Sequence, residues 1–150
     1  MKILKHPIIN MIFIIIMSTV YSFLFIFTSE HIEFLRLTSK SKTLQSNFWN
    51  GWSDFIRAGN MKYLGYIIIG LTLVILLLMI FKRMKKYDEY QVSILSRSLI
   101  VAGILSIISV PIIMIMLLSD PNYAIQTIFL FSIIQWFGVL ISDLIYVINS

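Results

Sequence analysis

Four long apolar stretches, roughly Pro7 to Thr28, Tyr63 to Phe81, Ser98 to Leu118 and Tyr123 to Asn149, alternate with short polar segments. An α-helix needs about 20 apolar residues to cross a hydrocarbon core of about 30 Å, and each stretch comes up to that length. The pattern predicts an all-α integral membrane protein of one domain, with transmembrane helices over about 7–29, 63–81, 92–118 and 123–148. An outer loop then covers 30–62 and an inner loop 82–91. The first stretch follows a basic start (Lys2, Lys5, His6) but is longer than the apolar part of a secretion signal. No small-x-small cleavage site closes it, so it reads as a retained helix that begins at Pro7.

The polar segments are patterned too. Within the outer loop, Leu44, Phe48, Trp52 and Phe55 follow one another at spacings of four, four and three, which is one face of a helix. Trp49 and Ile56 widen that face, while Gln45, Asn50, Asp54 and Arg57 lie towards other sides. Rings in such numbers beside a spanning segment predict a short amphipathic helix in the interfacial layer. Phe48, Trp49, Trp52 and Phe55 are its candidate outer contact surface. Gly59-Asn60 supplies the break before the second span. In the inner loop Asp88 and Gln91 have capping-box spacing, so the third helix starts near Asp88 and enters the membrane around Ser98. Ser119-Asp120-Pro121-Asn122 reads as a tight turn that makes the last two helices an antiparallel hairpin.

Counting outward from that turn pairs residues of equal depth: Ser98 with Asp143, Ser106 with Gln135, and Ser109 with Ser132. With Ser142 these residues predict a helix–helix seam, because lipid offers helices no hydrophobic reason to associate and small, hydrogen-bonding residues hold them together. Asp143 needs a partner at membrane depth, and Arg97 at nearly the same level is the expected one, as an ion pair.

Composition narrows the chemistry. Fifty-nine percent of the residues are apolar and mean hydropathy is +0.91, far from a soluble domain. With no cysteine, disulfides, thiolate metal sites and cysteine nucleophiles are excluded. Isoleucine at about one residue in five and Lys over Arg by eight to four suggest an AT-rich bacterial source, and hence the plasma membrane.

The net charge of +5 is placed for topology rather than for nucleic acid, with Lys82, Arg83, Lys85 and Lys86 directly after an apolar run. The N-terminus and residues 82–97 hold seven Lys and Arg (Lys2, Lys5, Lys82, Arg83, Lys85, Lys86, Arg97), against five in 30–62 (Arg36, Lys40, Lys42, Arg57, Lys62). Both termini are therefore expected in the cytoplasm.

His6 and His31 fall on opposite sides of the membrane. The sequence contains no paired-histidine metal motif, no Gly-rich phosphate loop and no nucleophile elbow. No catalytic residue, cofactor or metal is assigned. Asp88 and Glu89 are helix neighbours that do not face each other, so they make a poor carboxylate pair.

Two classes of function fit. In the first, a non-enzymatic membrane protein acts through contacts, as an accessory subunit of a transporter or sensor or as an immunity protein against a membrane-active peptide. Its partners are then lipid and a membrane protein or peptide. In the second, self-association builds a small transporter or pore lined by the serine–glutamine stripe. An integral-membrane enzyme ranks third.

Overall fold

A computed structural model describes residues 7–31, 46–82, 103, 104, 107–115, 118 and 123–149. The described residues are helical apart from short turns, with no strand among them. Four continuous helices run in the order α1 (Pro7–Glu30), α2 (Asn47–Arg57), α3 (Met61–Phe81) and α4 (Ala124–Asn149). Three of them, α1, α3 and α4, are long and apolar enough to cross a membrane. Within hydrocarbon a segment must satisfy its own backbone hydrogen bonds, and a helix does so internally. The hydroxyls of Thr19, Thr28 and Ser132 fold back onto the carbonyls of Ile15, Leu24 and Ile128, four residues earlier. The described part of the third apolar stretch is helical, and its side chains are exposed or half-buried.

α1 packs most extensively against α3, in antiparallel sense. The approach is close at Gly65, where an added Cβ would lie 2.8 Å from Ile26 Cγ1 and 3.2 Å from the Ser22 carbonyl oxygen. Further along, Thr72 on α3 donates to Ser18 Oγ on α1 at 2.7 Å. The buried residues of α3 (Met61, Gly65, Ile68, Thr72, Ile75 and Met79) recur every three or four positions, as one inward face.

α2 ends in a hydrogen-bonded reversal. The Asn60 amide donates to Phe55 O and the Gly59 amide to Ile56 O, with Gly59 at φ +73°. A Cβ at Gly59 would also meet the Ser29 carbonyl oxygen at 3.0 Å, so the turn is seated on the C-terminal end of α1. This is the break expected at Gly59-Asn60.

α4 runs antiparallel to α1 and parallel to α3. Asn10 meets Asp143, Ser18 meets Trp136 and Phe25 meets Phe129, at steps of eight and seven on α1 and of seven on α4. Where α3 ends, Lys82 Nζ donates to the carbonyls of Val147 and Ile148 at 2.8 and 2.7 Å. A cation there stabilises the negative end of α4. One end of the bundle thus holds the start of α1 and the ends of α3 and α4, and α2 closes the other.

Replacing Gly65 tests the close approach. Gly65→Ala should already destabilise, because Ile26 is branched at Cβ and stiff in a helix and the Ser22 carbonyl is backbone, so neither yields freely. Gly65→Ile should cost about 1–3 kcal/mol by overpacking, read as a lower unfolding midpoint in detergent.

Candidate functional site

The polar side chains carried by the apolar helices converge inside the bundle, so the candidate site is this internal network. It has three levels along α4.

At the α2 end, Trp52 Nε1 donates to Gln126 O at 3.0 Å and Gln126 Nε2 donates to Ser53 Oγ at 2.9 Å. Tyr123 OH donates to Asn50 Oδ1 at 3.0 Å, and the Tyr123 ring stacks on Trp49 with centroids 5.7 Å apart. Ser53, Ile56, Tyr123 and Gln126 are fully buried there. Spacing explains the inward turn of α2, since Trp49, Trp52, Ser53 and Ile56 lie on one side of the helix.

At mid-height, Ser18 Oγ accepts from Thr72 Oγ1 and, at 3.3 Å, from Trp136 Nε1. One hydroxyl thereby joins α1, α3 and α4. Tyr21 stacks on Trp136 at 5.2 Å with an interplanar angle of 7°, and Phe13 meets the same indole edge-on.

At the other end, Asn10 Nδ2 donates to both carboxyl oxygens of Asp143, at 3.0 and 3.3 Å. Asp143 is 4% exposed and Asn10 9%.

The residues singled out in the sequence fall unevenly on this frame. Asp143 is buried as its need for a partner requires, and its hydrogen bonds come from Asn10 on α1. Arg97, Ser98 and Ser106 lie outside the described residues. Ser109, Ser132 and Gln135 are half-buried and Ser142 is exposed. Of the four aromatic residues singled out on α2, Phe48 is exposed, while Trp49, Trp52 and Phe55 are half-buried. Trp49 and Trp52 are engaged by Tyr123 and Gln126, and Phe55 stacks on Trp52 at 5.3 Å.

Sequence reasoning passed over Asn10, Ser53, Thr72, Gln126 and Trp136. A signal for two of them was present. Thr72 is the only hydroxyl of an aliphatic side chain between 63 and 81. Asn10 shares the α1 face of Ser18, Ser22 and Ser29. Among the described residues no group of three or more His, Cys, Asp or Glu is placed to hold a metal ion.

Two substitutions measure the network. Hydrogen bonds between membrane helices are worth about 0.6 kcal/mol on average and up to about 1.7. Ser18→Ala removes an acceptor used by two helices and should cost about 1 kcal/mol in a reversible detergent unfolding assay. Gln126→Leu should cost more, about 1–3 kcal/mol, since it strands the buried Ser53 hydroxyl.

Comparison of the chain with known protein families, with curated proteins and with solved structures finds no match.

Proposed function

We propose that this chain is a non-enzymatic multi-pass membrane protein that acts by contact with another membrane protein or a peptide, as an accessory subunit or an immunity protein. The observation that carries the reading is where the polar chemistry goes. Asp143 is bonded to Asn10, Ser18 to Thr72 and Trp136, and Gln126 to Ser53, each across helices. The outward faces of α1, α3 and α4 are apolar, with residues such as Ile16, Phe23, Leu73, Leu77, Ile134 and Ile145 exposed. A bundle closed on its own polar groups suits a contact role better than a lined path.

The membrane arrangement belongs to the same proposal. α3 ends beside the end of α4, yet α4 begins at the α2 end, so Lys82 and Tyr123 lie at opposite ends of the bundle. A fourth span by the third apolar stretch, with its seam of Ser98, Ser106 and Ser109 on Ser132, Gln135 and Ser142, fits that placement. The dense Lys and Arg after α3 then hold both termini in the cytoplasm of a bacterial cell and put α2 outside, in the headgroup layer. There α2 presents Phe48, Gly51, Asp54 and Arg57 outward. This face is where a partner docks.

Affinity purification in mild detergent should recover a distinct membrane protein or peptide. Phe48→Ala should weaken that recovery while leaving the unfolding midpoint unchanged, because Phe48 is exposed. Recovery of the chain alone, as a defined oligomer that conducts ions in liposomes, would establish the pore reading instead. For the seam, Ser106→Cys with Gln135→Cys should crosslink on oxidation. Efficient linking of either position to α1 or α3 instead would refute it.

A further inference from the structure

We propose that the Asn10–Asp143 pair is a proton-binding site inside the bundle, one that holds its carboxyl group in either protonation state without losing a partner.

Three observations carry it. The carboxyl group is almost wholly enclosed, at 4% exposure, where α1 meets α4. Asp143 precedes the end of α4 by six residues and Asn10 follows the start of α1 by three, so the pair sits about 5–9 Å inside the bundle end. Its partner among the described residues is a neutral amide rather than a cation.

The choice of partner matters chemically. A guanidinium or ammonium offers only donors and a positive charge, and so favours the ionised form. A carboxamide offers both a donor and an acceptor. Against the carboxylate, Asn10 Nδ2 donates to both oxygens, as the two distances show. Against the neutral acid, the same amide accepts the acid O–H at Oδ1 while Nδ2 donates to the carbonyl oxygen, which closes a cyclic pair. Uptake or release of one proton therefore leaves the buried carboxyl group bonded to Asn10 in either state, and a carboxyl group left without a partner would cost about 1–3 kcal/mol.

The other titratable or charged groups near the pair among the described residues are few. On α4, Tyr146 is buried three residues on. On α3, Lys82 is bound to the carbonyls of Val147 and Ile148, one turn beyond Asp143. The flanking part of α1, Pro7 to Ile14, has no ionisable side chain.

Infrared difference spectroscopy of the purified chain, titrated over the pH range in which it stays folded, tests the site. The expected result is a carbonyl stretch of a protonated carboxyl group that titrates and is missing from Asp143→Asn, which keeps the shape and an amide in place. The chain has four aspartates, Asp54, Asp88, Asp120 and Asp143. In the variant with Asp54→Asn, Asp88→Asn and Asp120→Asn, isotope-labelled aspartate should move that same band, so the assignment does not depend on the Asp143 variant folding. Asn10→Leu should shift its titration midpoint. Identical carboxyl bands in wild type and Asp143→Asn at every pH, or no label-sensitive band in the triple variant, would overturn the proton site. An unmoved midpoint in Asn10→Leu would overturn the role of the amide.

Discussion

The close approach of α1 to α3 at Gly65 is the contact on which the other placements rest. Without a side chain at that position, Ile26 and the Ser22 carbonyl come within van der Waals reach of the α3 backbone. Helices in lipid gain little from hydrophobic burial against each other, so close packing and hydrogen bonds supply the association energy. With α1 and α3 fixed at short range, Ser18 and Thr72 fall opposite each other and bond. The turn after α2 can then seat Gly59 on the end of α1, where both the positive φ and the nearby Ser29 carbonyl favour glycine.

α4 is attached in a different manner. Its ties are polar and spaced along its length: Gln126 to α2, Trp136 to the Ser18 hydroxyl, Asp143 to Asn10, and the terminal carbonyls to Lys82. Such bonds are directional, so they set the height and rotation of α4 as well as its distance. The seven-residue step from Phe129 to Trp136 to Asp143 keeps these groups on one face against α1. In this arrangement α2 serves as a clasp. It carries Trp52 and Ser53 from the α1–α3 unit across to the first turn of α4.

The same network explains why so apolar a chain retains polar residues at all. An amide, two hydroxyls, an indole and a carboxyl group within spanning helices are each costly alone in hydrocarbon. Bonded to one another they specify one register among the many that interchangeable Ile, Leu and Phe surfaces would accept. The lipid-facing positions carry no such constraint, and they are filled with large apolar side chains.

Helix positions were legible in the sequence because length and hydropathy alone set them: α1, α3 and α4 begin and end within two residues of the stretches read from the pattern. The short helix α2 and its Gly59 stop were legible from three-and-four spacing and from turn chemistry. The need of Asp143 for a partner was legible too, because a buried carboxyl group demands one wherever it sits. That Asn10 would supply hydrogen bonds to it was not. Depth-matching about the turn at 120–121 compares only helices adjacent in sequence, whereas Asn10 lies 133 positions from Asp143. The inward turn of Trp49 and Trp52 was likewise undetermined, because an aromatic face is equally satisfied by lipid headgroups or by a neighbouring helix. Sequence fixes which segments are helical and which of their residues require partners, since both follow from local chemistry. Only the tertiary structure decides which distant residue meets each requirement, because that depends on how closely and at what rotation the helices pack.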